Sequence, residues 1–134
     1  MRDYYYRTRI YYADTDAGGV VHHANYLFLF ERARTEALRE AGYSLIDLAR
    51  EHDVTFAVRY VNIDYRKPLK LEDEIEITTR IVEVRSTSLL YHQHITRVGQ
   101  SEIVLTLMTI KLAFVGHDFK PRVVPDLLIA EFEK

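Results

Sequence analysis

Between Ala24 and Ala41 the apolar residues fall at helical steps, and beyond residue 55 nearly every apolar residue falls at strand steps. Tyr26, Leu29, Phe30, Ala33, Ala37 and Ala41 share one stripe, at spacings of three or four. Leu27, Phe28 and Leu38 widen it, so the first half of this helix is apolar over most of its circumference. The second half carries Arg32, Arg34, Glu36, Arg39 and Glu40 on its outer side. About 17 residues at about 1.5 Å of rise each reach roughly 25 Å, the width of a small sheet. Gly42 stands where a C-terminal cap belongs, and Ser44 can cap a shorter helix, Leu45 to Glu51.

The remainder reads as strands. Arg7 to Tyr12, ahead of the helix, is rich in β-formers. In Thr55 to Arg66, Phe56, Val58 and Tyr60 alternate with polar positions, and then Val61, Ile63 and Tyr65 do. The phase slips by one between Tyr60 and Val61, as a β-bulge there would make it. Lys67-Pro68-Leu69-Lys70 ends that run, and Ile75, Ile77, Thr79 and Ile81 mark a strand with one wet face. Arg85 to Ser88 is a turn, Leu89 to Val98 a strand, Gly99-Gln100 a tight connection and Ser101 to Val115 a long strand. This last strand is apolar at both parities, so both its faces need cover. One long helix with an antiparallel meander is an α+β layer pair, and the single helix covers only one face. A second subunit is the expected cover for the rest.

With 134 residues, 48% hydrophobic and 28% charged, the chain suits one globular domain, 1–134. A net charge of −2 gives no argument for nucleic acid or for an acidic membrane surface. The absence of cysteine removes disulfides, thiolate nucleophiles and thiolate metal sites. No window approaches the roughly 18 apolar residues of a membrane span, and no apolar signal core follows Met1, so a cytoplasmic protein without stable membrane insertion is expected.

The residues that can do chemistry concentrate between the first strand and the helix. Tyr12-Ala13-Asp14-Thr15-Asp16-Ala17-Gly18-Gly19-Val20-Val21-His22-His23-Ala24-Asn25-Tyr26 carries two carboxylates, a glycine pair and two histidines. Asp14 and Asp16 read either as turn formers bonding nearby amides or as a reactive pair. With His22 and His23 they match no metal-ligand spacing. Free amides at a helix N-terminus stabilise negative charge, so a helix opening near His23 offers an oxyanion site. Glu31, inside the apolar half of the helix, needs a partner, for which Arg34 is the candidate. No Ser-His-Asp set and no glycine-rich phosphate motif occurs.

The run Tyr11 to Tyr26, followed by Phe30-Glu31-Arg32-Ala33-Arg34-Thr35-Glu36, resembles the YbgC-type acyl-CoA thioesterases, hotdog-fold relatives of 4-hydroxybenzoyl-CoA thioesterase. The likeness continues more loosely through Arg85 to Ser88 and Lys120 to Pro125. It implies a sheet wrapped round one central helix, paired into homodimers or homotetramers. It also implies an acyl-CoA substrate, with coenzyme A part of that substrate, no cofactor and no metal. On this resemblance Asp16 is the catalytic carboxylate, as nucleophile or general base, and His23 supplies the amide that polarises the carbonyl. Gly19, Val20 and Tyr26 beside them, and Arg85, Ser86 and Thr87 at the nucleotide end, are the expected substrate-binding residues. His22 stands where relatives often carry an aromatic residue. The alternative is a non-catalytic acyl-CoA or acyl-carrier-protein binding module on the same fold, which would need the pocket but not the acid.

Overall fold

A computed structural model describes residues 2–133. Five strands, β1 (Asp3–Arg9), β2 (Thr55–Tyr65), β3 (Glu74–Val84), β4 (Ser88–Arg97) and β5 (Thr106–Val115), form one antiparallel sheet. Its order is β1-β3-β4-β5-β2. Consecutive strands β1 and β2 therefore sit at opposite edges, and the chain between them must cross the whole sheet. Helix α1 (Asn25–Glu40) makes that crossing, and α2 (Leu45–His52) brings the chain back to the far edge. This is the expected α+β arrangement of a sheet around one central helix.

Burial explains the seating. Tyr26, Leu29, Phe30, Ala33 and Ala37 of α1 are buried, the same stripe that the spacing marks. Tyr26, Leu29, Phe30 and Ala33 share one core with Ile75, Ile77 and Ile81 of β3, Ile95 of β4, and Met108, Ile110, Leu112 and Phe114 of β5. Gly42 takes a positive φ of 97° just past α1. The Ser44 side chain accepts from the Asp47 amide and caps α2.

Four boundaries differ from those read in the sequence. β1 runs from Asp3 to Arg9, and Tyr12–Asp14 leaves the sheet as a single 3-10 turn. The β2 bulge falls earlier: Val58 pairs with Leu112 and Tyr60 with Lys111, so Arg59 is the extra residue. β5 begins at Thr106, because residues 98–105 coil through turns (Gln100 N–H to Arg97 O, 3.0 Å; Ile103 N–H to Gln100 O, 3.1 Å). A short helix, α3 (Asp126–Phe132), follows where no helix is expected; seven residues are too few for periodicity to register.

Asp53, the residue that ends α2, has φ 51°. Its carboxylate accepts from the His117 amide (3.1 Å), from His117 Nδ1 (3.1 Å) and from Arg122 Nη2 (3.0 Å). It thus ties the α2–β2 junction to the segment after β5. The His117 amide, the His117 ring and the Arg122 guanidinium together hold its carboxyl at about 2, below the ordinary 3.8. A carboxyl with a lower folded than unfolded value contributes stability that is complete above about 4 and is lost as pH falls through 2. Asp53→Asn keeps a residue tolerant of positive φ and should flatten the fall in urea midpoint between pH 4 and pH 2. An unchanged slope would mean that the clip contributes nothing.

Candidate active site

The loop ahead of α1 is a small hairpin. Thr15 bridges Val21, the Asp16 amide donates to Val20 O (2.8 Å) and the His22 amide to Asp14 O (3.2 Å). Gly18 and Gly19 turn the tip, with Gly19 at φ 80°. The returning arm is pinned from outside: Val20 bridges Lys70, and the Val21 amide donates to Leu69 O (2.9 Å). Residues 69–73 are in turn held by Arg97, whose guanidinium reaches Asp73 (3.0 Å) and Pro68 O (3.1 Å).

The two aspartates separate in role. Asp14 is buried; one carboxylate oxygen accepts from the Tyr11 amide and the other from Asn25 Nδ2, both at 2.9 Å. It ties the loop to the first residue of α1. Asp16 is exposed at the hairpin tip. Its Oδ1 accepts from the Gly18 amide at 2.7 Å, which fixes the rotamer, and among the described residues Oδ2 has no protein partner. Thus Asp14 follows the turn-former reading, while Asp16 combines a local turn bond with a free oxygen.

The helix start has no side-chain cap at Ala24. Neighbours take most of its donors instead. The Ala24 amide goes to His22 Nδ1 (3.2 Å), the Asn25 amide to His22 O (2.8 Å) and the Leu27 amide to Ala24 O (3.2 Å). His22 therefore caps the helix, and accepting at Nδ1 requires that nitrogen to be unprotonated. Among the described residues the His23 amide has no protein partner. Because His22 O points along the helix to Asn25, the trans peptide aims the His23 N–H off the N-terminal end. The two rings stack at 4.4 Å, and Tyr65 Oη donates to His23 O (2.8 Å).

Tyr26 is buried, with its hydroxyl accepting from the Leu69 amide (3.2 Å) and its ring edge-on to Tyr65 (4.9 Å). Gly19 is exposed and Val20 half-buried beside Asp16. Arg85, Ser86 and Thr87 form the β3–β4 turn, where Arg85 pairs with Glu83 (2.6 Å) and Ser86 O accepts from the Val124 amide (2.8 Å). That turn lies at the opposite end of β3, about 33 Å along the strand from the hairpin at roughly 3.3 Å per residue. One chain therefore does not bring the two groups together. No three His, Asp or Glu residues gather in metal-binding geometry among the described residues. None of the described helices is long and apolar enough to cross a membrane.

Two features escape the sequence reading. Tyr65 braces the His23 peptide across 42 positions, and no local pattern announces it. Arg34, read as an outer charge, is half-buried and donates to Gln93 Oε1 (3.0 Å). Its place four residues after Phe30, on the flank of the apolar stripe, was the available signal. Glu31 is exposed and forms no ion pair with it among the described residues.

The comparisons agree with this architecture. Residues 18–104 match the thioesterase superfamily. The acyl-CoA thioester hydrolase YbgC of Shigella flexneri is 40% identical over 131 residues, covering 94% of this chain and 92% of the relative. The acyl-CoA thioesterase YbgC of Haemophilus influenzae is 40% identical over 125 residues, covering 92% and 90%. The crystal structure of a probable thioesterase from Bartonella henselae superimposes with a TM-score of 0.86 at 33% identity, over 92% of this chain and 100% of that one. The sheet wrapped round α1 is thus the hotdog fold.

Asp14→Ala should lower stability by roughly 2 kcal/mol, since it removes a buried acceptor from two donors. Asp16→Ala, at an exposed tip, should cost no more than about 0.5 kcal/mol. Urea midpoints of the two variants measure the contrast, and equal losses would contradict the division of roles.

Proposed function

This chain belongs to the thioesterase superfamily and is a thioester hydrolase, and from that premise we propose that it cleaves acyl-CoA with the Asp16 carboxylate and the His23 amide. The observation that carries the reading is the pair of unpartnered groups on one braced loop: Asp16 Oδ2 and the His23 N–H. The thioester carbonyl oxygen accepts from the His23 amide, which stabilises the negative charge that grows on it. Asp16 then either attacks the carbonyl carbon or takes a proton from the water that attacks. With Asp16 as base the water oxygen ends on the acyl carbon. With Asp16 as nucleophile an acyl–Asp16 anhydride forms, and water attacking its Asp16 carboxyl carbon leaves the water oxygen in Asp16 and an Asp16 oxygen in the released acid. On both routes the carbon–sulfur bond breaks, and the sulfur leaves with the electron pair and gains a proton. A thiolate is a good leaving group, so the step asks for no metal and no redox cofactor.

The assembly belongs to the same proposal. β2 is an edge strand of 11 residues whose only sheet neighbour among the described residues is β5. Val58, Tyr60, Val61 and Tyr65 on it are exposed, as are Leu27 and Phe28 on α1. A long edge with this much apolar surface is a template for a second strand. A second copy pairing antiparallel through β2 extends the sheet about a two-fold axis. That axis sets the Tyr65 end of one copy, which holds His23, beside the Thr55 end of the other. The β3–β4 turn lies at that same Thr55 end, since the Phe114 amide donates to Thr87 O (2.8 Å) and Phe114 pairs with Phe56. Arg85, Ser86 and Thr87 of one copy would then face the nucleotide of a coenzyme A whose thioester lies at Asp16 of the other. Two such dimers can pair further into a homotetramer.

Asp16→Asn should keep its thermal midpoint and lose on the order of 10²-fold or more in kcat, read as thiol release across short, long and aromatic acyl-CoAs. Unchanged turnover would remove the mechanism, and tight acyl-CoA binding by the unmodified protein without thiol release would favour a binding module. Incorporation of oxygen-18 into Asp16 in a single turnover selects nucleophile over base. Sedimentation should give at least twice the chain mass, and Val61→Lys at the edge should shift it toward the monomer with loss of activity. A fully active monomer would refute the shared site.

A further inference from the structure

A cavity of about 340 Å³ opens between α1, α2 and the Thr55 end of β2. Leu38, Leu45, Phe56 and Leu112 give it apolar walls, and Arg34 and Tyr91 bring polar groups into them. Neither Asp16 nor His23 lines it on its own chain. The two-fold axis through β2 brings it beside those residues of the second copy. We propose that this cavity takes the acyl group, and that Arg34 makes the enzyme select acyl groups ending in a carboxylate, the monothioesters of dicarboxylic acids. The proposal rests on the thioesterase reading above and deepens it to a substrate class.

The charge balance carries the choice. A guanidinium among apolar walls is costly unless it is paired. Arg34 donates one bond, to Gln93 Oε1, and forms no ion pair among the described residues. Gln93 is only 1% exposed, so the guanidinium reaches buried depth. The Gln93 amide nitrogen is already committed to Phe30 O (3.0 Å) and Thr79 Oγ1 (2.9 Å). Its oxygen is therefore fixed toward Arg34 and holds the fork in place. A guanidinium carries five N–H donors, which leaves a planar set for a carboxylate to accept in two parallel bonds. Burial lowers the Arg34 guanidinium from its ordinary value, and the nearby Tyr91 and Glu31 offset that only in part.

Glu31 is the one acidic side chain among the cavity residues. It is exposed one turn before Arg34, yet its negative charge acts on the guanidinium and opposes a substrate carboxylate placed there. Tyr91 is buried, and burial pushes its hydroxyl up, so it stays a neutral donor. The volume has room for about eleven heavy groups at roughly 30 Å³ each, a chain of six to eight carbons with its terminal carboxylate.

The test compares matched pairs, adipoyl-CoA with hexanoyl-CoA and suberoyl-CoA with octanoyl-CoA. The unmodified enzyme should show kcat/KM at least about tenfold higher for the carboxylated member of one pair. Arg34→Met should bring that ratio to one or below, while Arg34→Lys, which keeps the charge but not the fork, should fall between. A ratio of one or less in the unmodified enzyme, or the same ratio in Arg34→Met, would overturn the assignment. If Arg34→Met does not fold, the unmodified ratio and Glu31→Gln decide; removing the like charge should raise the preference about two- to threefold, and an unchanged preference counts against Arg34. Hexanoyl- and octanoyl-CoA turnover that depends on Asp16, with a flat ratio, sinks only the Arg34 assignment. No turnover of any acyl-CoA sinks the thioesterase reading itself.

Discussion

The long helix begins on residues that cannot cap it. Ala24 offers no side-chain acceptor, yet the first-turn amides of a buried helix need partners. The loop supplies them from His22, through its ring and its carbonyl, and from the Ala24 carbonyl. These bonds set the angle at which the chain enters α1, and Asp14 locks that angle by bonding the loop backbone and Asn25 at once. Among the donors left without a protein partner is the outward-pointing His23 amide. In the proposed mechanism that leftover donor of the helix start is the one put to use.

Much of this was legible, and the reason is periodicity. The stripe from Tyr26 to Ala41 marks α1 and its buried face, and the phase slip in β2 correctly signals a bulge. The bulge is misplaced by one residue because Val58, Tyr60 and Val61 are all exposed, so hydropathy along this stretch does not mark where the extra residue falls. β5 was drawn too long because Ile103, Val104 and Leu105 are apolar without being in the strand; Leu105 is buried in the core ahead of it. The division of labour between Asp14 and Asp16 was not legible. Both are aspartates in a turn, and only the partners of their oxygens, one of them on Asn25, tell them apart. Arg34 was misread for a related reason: a long side chain on the flank of an apolar stripe can turn either way, and Gln93, 59 residues on, decides it.

The edge strand explains why a single chain looks incomplete. Asp16 and the β3–β4 turn lie at opposite ends of one sheet, and the cavity with the unpaired guanidinium lies at the turn's end. In the proposed dimer each is half of an arrangement that an antiparallel partner would complete, because a two-fold axis exchanges the ends. The same exposed residues that would make β2 an aggregation hazard in a monomer become interior once it is paired. On the proposed assembly the apolar surplus of the sequence and the divided chemistry have one cause.

Pairing also bears on how hard the loop can work. An exposed carboxylate and an exposed amide act through water, where two unit charges 4 Å apart interact by only about 1 kcal/mol. Covering them with a second apolar surface lowers the local dielectric and raises the value of every aimed dipole, without moving an atom of the loop. The bracing by Asp14, Tyr65 and the Leu69 segment matters for the same reason. A donor that is already fixed need not reorganise when charge develops on the carbonyl oxygen. On this view rigidity comes from within the chain and dryness from its neighbour, and catalysis requires both at the same carbon.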